Sequence, residues 1–355
     1  MEELNLQVCI KIEAARSRLA DRVTERQYAM RPELVGRYGE AGREKCRQDA
    51  AYHLSYLSQA IRSGRPQLFA DYVAWAKVML AGRGIPAEDL ALNLECLRQA
   101  IEQDLGSQAT SIADDYIKVA LDQLPRSPSE LPSFIEQTEP LADLARPYLG
   151  ALLRGDRQAA GRMILKAVED GASVKDIYLS VFQRSQYEIG RLWQMNRISV
   201  AQEHYCTAAT QLIMSQLYPL IFSGEKNGRT LVATCVGGDL HEIGVRMVSD
   251  FFEMEGWDTF YLGANTPTES ILQTVVERKA DVLAVSATMT FNVNVVAEII
   301  AAMRAAPATA GLKIIVGGYP FNVSPDLWRE IGADACPGDA LEAVALANRL
   351  VEGER

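Results

Sequence analysis

From residue 227 onward, short apolar runs rich in β-branched residues alternate with stretches of helical periodicity, and few architectures accept that pattern. The runs are RTLVATCV, WDTFYLG, DVLAVSAT and LKIIVGG, with a shorter one at ADACP. Between them, apolar residues recur every three or four positions over about 241–254, 267–279, 292–306 and 324–331, with a last helix from about Leu341. A strand apolar on both faces has to be covered on both, and the intervening helices supply the cover. The expectation is a doubly wound, flavodoxin-like parallel sheet over 227–355. Ligands meet such sheets at the carboxyl ends of the strands.

The upstream sequence has no strand signal. Residues 1–125 carry helical periodicity in AAYHLSYLSQAIRSG, QLFADYVAWAKVMLAGRG and LALNLECLRQAIEQDL, with turns expected at Gly64–Pro66 and Gly82–Pro86. LPRSPSELPSFI packs three prolines and three serines into twelve residues and reads as a linker. Four amphipathic segments follow, PLADLARPYLGALLRG, DRQAAGRMILKAVEDG, SVKDIYLSVFQRSQYEIGRLWQM and SVAQEHYCTAATQLIMSQLYPLI, which give a four-helix bundle within 126–226. The polar break SGEKNG then leads into the sheet. The chain is therefore expected to be multidomain, α and α/β.

Composition narrows the partners. A net charge of −10 and a pI near 5 disfavour a phosphate-neutralising surface, so no direct nucleic acid contact is expected. Six scattered cysteines form no C-x-x-C and suggest a reducing, cytoplasmic setting. Neither a signal peptide nor a membrane span is expected.

Chemistry-bearing residues gather at the expected strand ends. DLHEIG places Asp239 and His241 where the first strand passes into its helix, after Gly237 and Gly238 and before Gly244. An imidazole two residues from a carboxylate can be a general base, a metal ligand held by that carboxylate, or part of a structural turn. No G-x-G-x-x-G is present, which removes the dinucleotide fingerprint. VSATMT ends the third run with Ser286, Thr288 and Thr290. VGGYP ends the fourth, and Gly317 and Gly318 leave room there for an extended ligand.

In that order, D-x-H-x-x-G, a serine motif and Gly-Gly resemble the cobalamin-binding domain family over about 227–355. The resemblance implies that His241 is the lower axial ligand of cobalt, oriented by Asp239, with Leu240, Ile243 and Gly244 beside the corrin. It also implies that the displaced nucleotide tail lies near Ser286, Thr288, Gly317 and Gly318. The serine motif here is Ser286-Ala287-Thr288, where the family has S-x-L.

Within the bundle, Trp193 is followed after nine residues by Glu203-His204. By itself this is either packing with an acidic residue at a helix start or a ligand-facing set. Directly before a cobalamin domain, W-x9-EH resembles the CarH-type adenosylcobalamin photoreceptors. Trp193, Glu203 and His204 are then implied to meet the upper-face adenosyl group, which visible light releases. In those receptors a histidine follows the Trp and can ligate cobalt afterwards; Gln194 stands here, which leaves His204 or water for that site.

The first domain carries Tyr52, His53 and Tyr56, then Phe69, Tyr72 and Trp75, as core packing or as the wall of a pigment site. An all-helical domain before such a module resembles the photocobilins, which hold cobalamin and biliverdin. This implies a bilin near Tyr52, His53 and Tyr56, with Arg62, Arg65, Lys77 and Arg83 available to its propionates. The reading is a light sensor rather than an enzyme, signalling through a light-dependent homo-oligomer or an unknown protein partner. The alternative is a corrinoid methyl carrier of a methyltransferase system.

Overall fold

The computed structural model describes residues 2–222 and 224–353. Met1, Ser223 at the start of SGEKNG, Glu354 and Arg355 lie outside the described residues. The chain divides into two compact units, residues 1–130 with 289–294, and residues 131–288 with 295–355.

The first unit is helical, as its periodicity requires. Its helices are α1 (Glu2–Met30), α2 (Glu33–Arg62), α3 (Pro66–Ala81), α4 (Ala87–Leu105) and α5 (Ser107–Gln123). The expected turns fall where glycine supplies left-handed backbone, at Gly64 with φ 63° and Gly84 with φ 74°. Leu19, Leu57, Phe69, Val73, Leu97 and Ile117 are fully buried in this unit. Two pairs of polar groups meet in the interior. His53 Nδ1 lies 2.8 Å from Tyr72 OH, and Gln27 accepts a hydrogen bond from Asn93 at 2.6 Å.

The second unit opens with the bundle: α6 (Ala142–Leu153), α7 (Arg157–Glu169), a helix over 174–194 and the helix Val200–Gln216. Helix starts follow local chemistry. The Asp156 carboxylate accepts from Ala159 N–H, and Ser199 with Gln202 forms a reciprocal capping box. The third helix departs from the regular expectation, since Ile177–Gln183 is a π-helical turn. That turn buries Ile177, Tyr178, Val181 and Phe182, and Tyr178 OH donates to Asp250 of the sheet domain at 2.8 Å.

β1 (Thr230–Val236), β2 (Asp258–Thr266), β3 (Val282–Ser286) and β4 (Lys313–Gly317) form one parallel sheet in the order β2-β1-β3-β4. The crossover helices are Ile243–Met254, Thr268–Arg278 and Val293–Ala305, and Ala340–Glu352 closes the domain. The run ADACP does not become a fifth strand; Ala335 makes one isolated bridge to Ile315. Asp334 uses its carboxylate to accept from Ile314 N–H, and Pro337 has no N–H with which to continue a ladder. At the carboxyl ends, Cys235, Ser286 and Gly317 stand in register across β1, β3 and β4. That register puts the three sequence motifs side by side.

Candidate functional site

His241 lies in the loop from β1 to the helix Ile243–Met254, reached through Gly238 at φ 82°. Its side chain is 57% exposed, whereas that of Asp239 is 1% exposed. The Asp239 carboxylate faces His241 Nδ1 at 2.7 Å and accepts from His241 N–H at 3.1 Å and from Thr288 N–H at 2.6 Å. Burial pushes this carboxyl up, but the His241 side chain and the two N–H groups reverse the effect and hold it well below the usual carboxylate range. The hydrogen bond to Asp239 raises the His241 pKa, against burial, and Glu203 of the bundle adds to the rise from across the site. With Nδ1 held, Nε2 is the nitrogen left to a ligand. This is how a metal-binding imidazole is oriented.

The other residues read from the sequence take up varied positions. Leu240 is exposed, Ile243 is half-buried, and Gly244 has open space where a side chain would be. Ser286 is half-buried at the end of β3, and Thr288 enters through its backbone N–H on Asp239. The glycine pair divides. Open space surrounds the missing side chain of Gly317, whereas Gly318, at φ 111°, is glycine because a Cβ would sit 2.0 Å from Ala287 O.

On the bundle, Trp193 is half-buried at the end of its helix. Glu203 accepts from Thr207 Oγ1 at 3.1 Å and pairs with His204 Nδ1 at 2.5 Å, leaving the His204 ring exposed. Gln194 is buried, 5% exposed. Bundle and sheet meet through Arg246, which donates to Gln211 Oε1 at 3.0 Å, Ser215 Oγ at 2.7 Å and Tyr218 OH at 3.1 Å.

In the helical unit a cavity of about 800 Å³ is lined by Tyr52, Arg62, Arg16, Arg47, Ser55 and Gln59, among others. The aromatic residues and the lysine read from the sequence take up different positions there. His53, 2% exposed, and Tyr56, 8% exposed, turn inward to Tyr72, on which Tyr56 stacks at 3.6 Å between centroids. Lys77 Nζ donates to the carbonyls of Leu124 at 2.8 Å and Ser127 at 2.6 Å. Arg16, Arg47, Glu242, Gln211 and Asn265 escaped the sequence reading. Each is an ordinary polar residue whose position is set by long-range packing.

Residues 229–347 match a family model described as a B12 binding domain, and residues 144–218 match a second model of that description. This part of the chain belongs to the cobalamin-binding family. Residues 1–124 match a model described as a phycobilisome protein. Among relatives of the cobalamin-binding part, a corrinoid protein of Desulfitobacterium hafniense (strain Y51) is 26% identical over 207 residues, 57% of this chain and 94% of that protein. The dimethylamine corrinoid protein of Methanosarcina barkeri is 28% identical over 198 residues, 50% of this chain and 91% of that protein. The structure of the monomethylamine corrinoid protein of M. barkeri shares the fold, with a TM-score of 0.52 at 23% identity, covering 59% of this chain and 98% of that one. These relatives favour the carrier alternative over a light sensor for the part they cover. Among the described residues no helix is long and apolar enough to cross a membrane, and no group of three or more His, Cys, Asp or Glu residues forms a metal cluster.

Proposed function

We propose that the chain is a cobalamin-dependent light sensor in which His241 is the axial ligand, the bundle contacts an adenosyl group, and the N-terminal domain holds a linear tetrapyrrole such as biliverdin. The observation that carries this reading is the domain composition. Two corrinoid relatives are matched over 94% and 91% of their own length yet span only 57% and 50% of this chain, and residues 1–124 match a phycobilisome protein model. A methyl carrier has no evident use for such a domain.

The residues present suit the group. His241 Nε2 is free to ligate, Asp239 fixes the ring, and the open space at Gly317 lies in register with Ser286 and Cys235 at the strand ends. Bound there, adenosylcobalamin would supply a cobalt–carbon bond that visible light cleaves. Trp193, Glu203 and His204 would make contacts present in one state only, and such differential contacts bias two arrangements of a protein. In the helical domain, Arg16, Arg47 and Arg62 around the cavity suit the propionates of a bilin, with Tyr52 against its rings.

The second reading, a methyl-group carrier, is favoured by the names of the relatives, dimethylamine and monomethylamine corrinoid proteins. One experiment separates the two. Protein expressed with cobalamin and biliverdin is examined by absorption and gel filtration before and after green light. The sensor changes both its cobalamin spectrum and its elution volume, and it prefers adenosylcobalamin to methylcobalamin. An elution volume unmoved by light, with preference for methylcobalamin, supports the carrier.

A further inference from the structure

We propose that Asn265, standing on the bulged carboxyl end of β2, is a positioning residue for the axial histidine; this rests on the reading of His241 as the cobalt ligand. β2 runs in register with β1 only as far as Ala233 opposite Tyr261. Thr234 then pairs with Gly263, and Val236 with Thr266, so β2 gains a residue twice over its last turn. Gly263 at φ 80° and Asn265 at φ 55° absorb the extra length. Bulges of this kind re-aim the groups around them.

What the bulge re-aims here is a set of hydrogen bonds toward the histidine loop. Asn265 N–H donates to Asp239 O at 3.1 Å, and Asn265 Oδ1 accepts from Gly238 N–H at 2.8 Å. One residue earlier, Ala264 N–H donates to Glu242 Oε2 at 3.1 Å. The loop is thus held at positions 238, 239 and 242, on both sides of His241. Asp239 is fixed from two directions, its carboxylate by Thr288 N–H and its backbone by Asn265. The carboxylate in turn sets the imidazole.

The residue type is constrained twice. Asparagine is among the few non-glycine residues that adopt the left-handed region, and its short side chain reaches a nearby backbone N–H. Glycine meets only the first requirement, alanine meets neither, and aspartate meets both. The glycine and aspartate substitutions therefore separate loss of the hydrogen bond from backbone strain.

The test uses the full chain loaded with hydroxocobalamin, with histidine labelled by nitrogen-15, and electron paramagnetic resonance of the cobalt(II) form to report a histidine nitrogen on the metal. Asn265→Gly is expected to weaken hydroxocobalamin binding about tenfold, in line with losses of orienting partners at metal sites, and to lower the histidine-ligated fraction. In the cofactor-free protein the Gly238 amide should exchange faster. Asn265→Asp restores all three readouts, and the melting temperatures stay close to that of the parent. The inference is overturned by Asn265→Gly protein with parental affinity and ligation, or by Asn265→Asp failing as badly as the glycine variant. If the parent itself shows no histidine nitrogen on cobalt, the axial reading falls, and this inference with it.

Discussion

Asp250 makes the packing of bundle against sheet dependent on pH. It lies on the helix Ile243–Met254, is 5% exposed, and accepts from Tyr178 OH at 2.8 Å. Burial pushes its carboxyl up to about 6 from an ordinary 3.8, against the lowering effects of Tyr178, Arg246 and Tyr218. A folded-state value above the unfolded one means that the folded protein binds the proton more tightly. The associated stability is complete below about 3.8 and is lost as pH rises through about 6. At pH 7.5 the ionised group then costs about 3 kcal/mol relative to its protonated form. Asp250→Asn keeps an acceptor for Tyr178 and removes the ionisation; since part of the stability is already lost at pH 4, the variant's stability relative to the parent should rise by about 2 kcal/mol between pH 4 and pH 7.5. For a unit of this size that corresponds to roughly 4–8 °C in melting temperature. Urea unfolding of both proteins at the two pH values measures it. Equal differences at both pH values, or a variant less stable than the parent at pH 7.5, would refute the reasoning.

Further outcomes follow from the same contacts. Asp239→Asn removes the carboxylate that holds His241 Nδ1, and cobalamin affinity should fall by about 10–100-fold, measured by spectral titration. Gly318→Ala should fail to accumulate as folded protein, because its Cβ meets Ala287 O, whereas Gly317→Ala should melt like the parent yet bind cobalamin more weakly. Tyr72→Phe leaves His53, held neutral with its pKa pushed down to about 4 by burial, without its hydroxyl partner. The expected cost is about 1–3 kcal/mol in denaturant unfolding, and a variant as stable as the parent would mean the pair carries no weight.

Much of the candidate site was legible because its chemistry is local in sequence. Asp239 and His241 are two residues apart, and the alternating runs place DLHEIG, VSATMT and VGGYP at successive strand ends. The π-helical turn at Ile177–Gln183 gave no signal, since its apolar spacing also fits a regular helix. The orientation of the N-terminal aromatic residues was not legible for a related reason. Helical spacing brings Tyr52, His53 and Tyr56 onto neighbouring positions but does not say which of them faces the interior; packing against Tyr72 took two of the three.

By itself the sequence determined the fold class, the order of its parts and the place of the candidate ligand His241 at a strand end, because periodicity and short motifs act within a few residues. The tertiary structure decided what needs residues brought from far apart: that Thr288 serves through its N–H, that Gly318 answers to Ala287, and that the end of β2 grips the histidine loop. These contacts join segments roughly 25 to 50 residues apart. Their geometry depends on strand register and on bulges, which no local pattern of apolar and polar residues encodes.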